Sequence, residues 1–189
     1  MYFGEGILRP YVEQGLLTIR QHPQAPHLHI VNYTNACMYN GAWDDTLRRC
    51  RGLILDREHA VVHAECMIKF YNHEEHIQHG WSIPAEPAII LEKFDGNMGT
   101  LYWLNDEPWI ATRGSFTSPG AEWATAWFRE QSAMMSPDVR CYWNNPCVTH
   151  VFEIIAACTR IVVQYDFEGL VHLATISKVS GYNYWPLAT

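Results

Sequence analysis

Short runs of β-branched and aromatic residues, separated by turn-forming residues, recur along this chain. Runs of this composition and length are typical of β-strands. We predict strands at residues 29–33, 52–56, 88–91, 99–104, 109–112, 148–155, 160–165 and 167–176. The recurrence of strands and turns indicates a chain that is rich in β-sheet.

Two predicted connections can be described in more detail. Residues 105–108, Asn-Asp-Glu-Pro, lie between two strand-like runs at hairpin spacing, so residues 99–112 are predicted to form an antiparallel pair. Further on, Ser118 supplies an N-cap hydroxyl and Pro119 occupies the first helical position. These two residues predict a helix that runs to about Ala133.

The whole pattern favours an α+β fold with largely antiparallel sheets. The chain has 189 residues and 48% hydrophobic content, enough for one sizeable core, and no repeat or linker divides it. We therefore expect residues 1–189 to form a single domain. The chain has no run of about 18 apolar residues and no leader-like N-terminus. Its six cysteines are scattered, so the sequence favours a cytoplasmic protein with free thiols and no membrane partner.

The charge balance limits how this protein could handle nucleic acid. Thirteen Lys and Arg residues stand against twenty Asp and Glu residues, which gives a formal net charge of −7. Proteins that grip nucleic acid over a broad surface use many cationic side chains. If this chain binds RNA, we expect it to do so through a local positive pocket or with the help of a partner.

The most informative short motif is Lys93-Phe94-Asp95-Gly96, a KxDG pattern between two predicted strands. Such a motif is weak on its own, because four-residue patterns often arise by chance. A Lys–Asp pair beside a tight glycine turn is a sufficient structural explanation. The motif therefore predicts chemistry only if other segments support it.

Other segments fall in a characteristic order around this motif. Residues 50–55 read Cys-Arg-Gly-Leu-Ile-Leu, residues 67–72 read Met-Ile-Lys-Phe-Tyr-Asn, and residues 112–115 read Thr-Arg-Gly-Ser. Residues 152–156 read Phe-Glu-Ile-Ile-Ala, and residues 160–165 read Arg-Ile-Val-Val-Gln-Tyr. With these segments, the chain from about residue 30 to residue 184 resembles the ATP-dependent RNA ligases of the phage T4 tRNA-repair type, the RNA ligase 1-like family.

The resemblance implies an enzyme that joins a 5′-phosphate to a 3′-hydroxyl of RNA. Lys93 would attack the α-phosphorus of ATP and form a lysyl-AMP intermediate. A lysine amine with its usual pKa of about 10.4 is mostly protonated near pH 7, and neighbouring cations favour the neutral, nucleophilic form. The resemblance implies that Arg51, Lys69 and a divalent ion, Mg²⁺ or Mn²⁺, supply this positive charge.

The remaining site residues also follow from the resemblance. Asp95 and Gly96 would bind nucleotide beside Lys93, and Gly96 would allow a sharp backbone turn without a Cβ clash. Arg113 would contact ribose or phosphate, although the best-known relative has lysine there. Glu153 would contact the sugar or help to hold the metal ion.

Apolar residues would complete the nucleotide site in the same family. Ile161 and Val162 would form one wall of the adenine site, since a purine ring needs an apolar surface. Tyr165 could belong to that wall or to the core, and Tyr71 carries the same ambiguity.

The implied fold is a nucleotidyltransferase (ATP-grasp-like) domain that is incomplete at its C-terminus. Family members carry a later glutamate-glycine strand and a KxK strand. Glu168-Gly169 and Lys178 resemble these elements, but Glu168 follows Glu153 too closely for the family spacing. We expect neither element, and no C-terminal RNA-specificity domain, within this sequence.

Three interpretations of this expected gap are open. The chain could be the nucleotide-binding subunit of a split ligase that needs a second polypeptide, a fragment that folds without full activity, or a minimal enzyme in which Glu168 and Lys178 serve. The expected partners are RNA ends, including tRNA-like substrates, in a cytoplasm that could be that of a phage-infected host. His73, His76 and His79 could share a metal ion, but a solvated helical turn is the preferred interpretation.

Overall fold

The first sheet of the computed structural model has four strands, each antiparallel to its neighbour, in the order β1-β2-β3-β4. The structure describes residues 5–80, 82, 83, 85–88, 90–178, 183 and 184. The strands of this sheet are β1 (Leu17–Gln21), β2 (Leu28–Tyr33), β3 (Arg51–Asp56) and β4 (Val61–Ala64).

The second sheet is also entirely antiparallel, with the strand order β6-β5-β7-β8-β9. Its strands are β5 (Asn97–Leu104), β6 (Glu107–Thr112), β7 (Val148–Ile155), β8 (Gly169–Ser177) and β9 (Asn183–Tyr184). The predicted α+β architecture with antiparallel sheets is therefore confirmed.

Six α-helices accompany the sheets in the described residues: α1 (Glu5–Glu13), α2 (Asn35–Asn40), α3 (Asp45–Arg49), α4 (His73–Gln78), α5 (Pro119–Ala133) and α6 (Pro137–Trp143). A short 3-10 helix covers Ala157–Thr159. The predicted helix after Ser118 is confirmed, and the Ser118 hydroxyl accepts the backbone N–H of Ala121 as an N-cap. None of the helices in this part of the chain is both long and apolar enough to cross a membrane.

The predicted hairpin is present, with Leu104 paired to Glu107 across a two-residue turn. Asn105 and Asp106 have φ values of 52° and 62°, as in a type I′ turn. This turn has the twist of the flanking strands, and Asn and Asp tolerate the left-handed region better than most residues.

The packing has four layers and buries four hydrophobic clusters, three of which define the layers. Helices α1 to α3 cover one face of the first sheet, where Leu47 and Val31 are buried. The other face packs on the second sheet through Ile54 and Tyr102. Helix α5 covers the far side of the second sheet, where Phe128 packs in the core. This arrangement leaves the two sheets face to face.

Two predicted strands are wrong. Ala88, Ile90 and Leu91 lie outside any strand, while Ile89 falls outside the described residues. Ile90 is 92% exposed, so the apolar run does not reflect burial in a sheet. Residues 160–165 also form a loop, in which the Asp95 carboxylate accepts the backbone N–H groups of Val162 and Val163.

Candidate active site

A cavity of about 960 Å³ lies between the two sheets. Its wall includes residues of β1, β2 and β3 from the first sheet and of β5, β7 and β8 from the second. The charged side chains that line it are Arg20, Arg51, Lys93, Arg113, Glu92 and Glu153. Four cations and two carboxylates thus make this cavity locally positive in a chain of net charge −7.

Lys93, Arg51 and Glu153 form one group in this cavity. Burial raises the pKa of the Glu153 carboxyl above its usual range, while the Gly96 N–H and the charges of Lys93 and Arg51 act in the opposite direction. The Gly96 N–H donates to Glu153 Oε1 at 3.0 Å. Strand β7 therefore holds a carboxylate on the wall of the cavity that Lys93 also lines.

Gly96 is required by close packing rather than by a turn. Its φ is not in the left-handed region, in contrast to the positive φ of Gly52. A Cβ at Gly96 would lie 2.3 Å from the backbone oxygen of Ile154. The expectation that glycine avoids a Cβ clash is right, but the clash is with β7, next to Glu153.

Arg51 begins β3, and its guanidinium lies against the cavity wall. Its Nη1 donates to Met98 Sδ at 3.2 Å, and its Cζ lies 5.6 Å from the centre of the Phe70 ring. The next residue, Gly52, has φ +84°, and a Cβ there would lie 3.0 Å from the backbone oxygen of Arg113. The Cys-Arg-Gly segment thus brings the Gly52 backbone, next to Arg51, against the Arg113 backbone.

Arg113 lies in the turn that follows β6. Its guanidinium carbon is 5.1 Å from the centre of the Tyr33 ring, and its Nη1 donates to Tyr33 Oη at 3.4 Å. The turn is closed by the N–H of Thr112, which donates to the Ser115 oxygen at 3.0 Å. These contacts hold the guanidinium at the cavity wall.

Lys69 lies outside the cavity lining, in contrast to Lys93 and Arg51. Its Nζ donates to the Phe70 carbonyl at 2.6 Å and lies 4.5 Å from the centre of the Tyr71 ring. The Glu75 carboxylate is 3.9 Å away. In this structure, therefore, the Lys69 ammonium is held among aromatic and polar groups beside the cavity.

Asp95 also points away from the cavity. Its Oδ2 accepts the backbone N–H groups of Val162 at 2.7 Å and Val163 at 2.8 Å, and these two bonds, with the charge of Lys93, lower the pKa of the carboxyl. Its own N–H donates to Tyr165 Oη at 2.8 Å. Ile161 and Val162 are 64% and 82% exposed and do not line the cavity.

Glu168 and Lys178 have local partners elsewhere. Glu168 Oε1 accepts the Ala157 N–H at 2.7 Å, and the Lys178 ammonium donates to the His63 oxygen at 3.1 Å. Neither residue lines the cavity.

The sequence prediction missed Arg20, Asn32 and Thr18 among the lining residues. Arg20 and Thr18 lie on β1, a strand that was not predicted. Within its short run, Leu17–Gln21, only Leu17 is buried, so the usual alternation of buried and exposed residues is absent. Neither the hydrophobic pattern of this run nor a sequence motif identifies Arg20 and Thr18 as cavity residues.

No curated protein sequence matches this chain. The model of a family described as RNA ligase, of the T4 RNA ligase 1 type, matches residues 49–189, which include Arg51, Lys93, Arg113 and Glu153. Because this match covers well over half of the sequence, the chain belongs to the T4 RNA ligase 1-like family of RNA ligases, enzymes that join RNA ends.

Proposed function

We propose that this protein is an ATP-dependent RNA ligase with a nucleotidyltransferase (ATP-grasp-like) fold, and that Lys93 is its nucleophile. The observation that carries the proposal is that Lys93, Arg51 and Glu153 line one cavity between the two sheets. Electrostatic stabilisation of a transferring phosphoryl group needs cations fixed around one nucleophile.

The cavity fits a nucleotide in size and in chemistry. Small-molecule sites usually measure about 300–1,000 Å³ and combine an apolar lining with a few polar groups. Met67, Phe70 and Met98 supply apolar surface for a base, and the cavity arginines can bind phosphate oxygens. The cavity itself supplies the adenine wall in this proposal, and Ile161 and Val162 would add to it only after the 160–165 loop moved.

The residues also fit a divalent ion of the Mg²⁺ type. Mg²⁺ is usually held by one or two carboxylates together with substrate phosphates, and Mn²⁺ accepts similar oxygen ligands. Glu153 and Glu92 line the cavity, and the described residues contain no cluster of three or more metal-binding side chains. Glu153 would be a ligand, and the ion would neutralise phosphate charge.

The chemistry assigned to the chain itself is transfer of AMP. The Lys93 amine, having lost a proton, attacks the α-phosphorus; a P–N bond forms and the P–O bond to pyrophosphate breaks. An oxygen of the RNA 5′-phosphate then attacks the same phosphorus, so that the P–N bond breaks, the AMP moves to the RNA and the Lys93 amine is regenerated. Finally the 3′-hydroxyl attacks that activated phosphate, which joins the ends and releases AMP. Arg51 stabilises charge on the α-phosphate oxygens, and Arg113 contacts the ribose or another phosphate of the nucleotide.

Two residues act indirectly in this proposal. Asp95 holds the Lys93 loop against residues 160–165 rather than contacting ATP. Lys69 would bind a phosphate only after its ammonium left the Phe70 carbonyl and the Tyr71 ring.

The test is covalent labelling with ATP that carries a radioactive α-phosphate, in the presence of Mg²⁺. The chain has three lysines, Lys69, Lys93 and Lys178, which makes the controls simple. Label that survives denaturation, disappears in Lys93→Arg and persists in Lys178→Arg supports the proposal. ATP binding without covalent label in the wild type would favour the alternative, a nucleotide-binding subunit that needs a second polypeptide. Joining of a 5′-phosphorylated RNA to a 3′-hydroxyl end is the second readout.

A further inference from the structure

Arg20 connects the two sheets at the edge of the cavity. It lies on β1, and its Nη1 donates to the Gly114 carbonyl, in the turn after β6, at 3.1 Å. Arg113, the residue before Gly114, also lines the cavity. One guanidinium from β1 and one from the turn after β6 therefore line the same cavity.

These two arginines differ in their electrostatic partners from four of the other arginines. Arg9, Arg48, Arg49 and Arg129 each lie within 4.0 Å of a carboxylate. Within the described ranges, neither Arg20 nor Arg113 forms such an ion pair. Because Arg20 uses one N–H for the Gly114 carbonyl, its remaining donors can bind a ligand.

We propose that Arg20 and Arg113 form a phosphate-binding subsite at the rim of the cavity, distinct from the α-phosphate position at Lys93. Two forked donors that lack carboxylate partners match the oxygens of a phosphate, which they can bind bidentately. This proposal rests on the proposed function, which supplies the two candidate ligands. The phosphate belongs either to the outer part of ATP or to the 5′ end of RNA.

A purely structural role for Arg20 makes a different prediction. If Arg20 only held the turn through Gly114, a neutral residue that still donates a hydrogen bond would replace it. Arg20→Gln keeps an amide donor and removes the charge, so it separates the two roles. Arg9→Gln is the matched control, because Arg9 is an exposed arginine on α1 outside the cavity.

The test measures binding to the full chain by calorimetry with two kinds of probe. Inorganic pyrophosphate represents the outer phosphates of ATP, and a 5′-phosphorylated oligoribonucleotide is compared with its 5′-hydroxyl counterpart. We expect Arg20→Gln to weaken the binding of one of these two kinds of probe by about tenfold, because the loss of a charge-assisted hydrogen bond has an effect of this size. Arg9→Gln is expected to bind like the wild type.

The pattern of loss identifies the source of the phosphate. Weaker pyrophosphate binding assigns the subsite to ATP, whereas loss of the advantage of the 5′-phosphorylated RNA assigns it to the RNA end. Equal binding by Arg20→Gln and the wild type, or no binding of either probe by the wild type, would overturn the proposal. Arg20→Lys keeps the positive charge but not the forked guanidinium, so its loss of binding should be intermediate. This variant replaces Arg20→Gln in the test if the Gln variant misfolds. A wild type that binds these probes but takes no label from ATP would refute the Lys93 chemistry and leave the subsite standing.

Discussion

At the scale of single residues, Glu153 is placed where its charge is costly. The carboxyl is largely shielded from water, and the cations that lower its pKa do not offset the effect of burial. Such a group is expected where it will meet a ligand or a metal ion rather than where it stabilises the fold.

The pH dependence of stability tests this view of Glu153. Its folded pKa lies above its unfolded pKa, so ionisation costs stability as the pH rises through the folded pKa. Glu153→Gln, whose amide oxygen can still accept the Gly96 N–H, avoids that cost. The free energy of unfolding, measured with urea, should shift in favour of the variant as the pH rises above the usual glutamate pKa of about 4.3. If the difference in unfolding free energy between the two proteins stays constant with pH, or shifts toward the wild type, the effect of Lys93 and Arg51 on the pKa of Glu153 outweighs that of burial.

Gly96 is the second residue whose identity the structure explains. Gly96→Ala must push β7 away from the loop, because the backbone oxygen of Ile154 cannot give way as a flexible side chain could. We expect a loss of about 1–3 kcal/mol in the free energy of unfolding and a loss of labelling by ATP. The control is Gly6→Ala on α1, where a Cβ meets nothing within 4 Å in the described residues and stability should stay the same or rise slightly. Equal effects of the two substitutions would contradict the close-packing explanation.

At the scale of elements, the Lys93 loop and the 160–165 loop act as a pair. Residues 160–165 have a strand-like composition, yet the Asp95 carboxylate takes the backbone N–H groups of Val162 and Val163 that a neighbouring strand would otherwise bind. Tyr165 completes the connection through the Asp95 N–H. The Arg-Ile-Val-Val-Gln-Tyr segment therefore supports the loop that carries Lys93.

Hydrogen exchange tests this pairing of loops. Asp95→Ala removes the acceptor of two backbone N–H groups, so the amides of Val162 and Val163 should exchange faster while those of β7 keep their protection. Labelling by ATP should fall in the same variant. Asp166→Ala changes a nearby exposed aspartate and should leave exchange as it is. Unchanged protection at Val162 and Val163 in Asp95→Ala would show that the carboxylate does not hold the loop.

The elements that could be predicted were those with strong local signals. The hairpin and α5 are specified by their own turn and cap residues, and the observed elements agree. Residues 88, 90, 91 and 160–165 have the composition of strands, but in the described part of the chain they have no neighbouring strand, which is a property of the whole sheet. Local propensity cannot report the presence of such a partner.

At the scale of the whole molecule, the site is created by the packing of the two sheets. Arg20 and Arg51 come from the first sheet, and Glu153 comes from the second. The cavity concentrates four cationic side chains in a protein of net charge −7. The cavity is the kind of local positive pocket through which the composition led us to expect any contact with RNA. That contact stays a prediction.

The features of the cavity that the sequence could not predict depend on the packing of the whole molecule. Motif order brought out Arg51, Lys93, Arg113 and Glu153, which do line one cavity. It could not predict that the Lys69 ammonium turns toward Phe70 and Tyr71, because that orientation depends on side-chain packing. The position of Arg20 could not be predicted either, because it depends on a hydrogen bond to a turn 94 residues away in the sequence.

The most direct test of this account is to map the site of modification by mass spectrometry after incubation with ATP and Mg²⁺. We expect one added AMP per chain, found on the peptide that contains Lys93, and none on the peptides that contain Lys69 or Lys178. An AMP on either of those lysines, or a modified Lys93→Arg variant, would contradict the claim that the cavity between the two sheets activates the amine of Lys93.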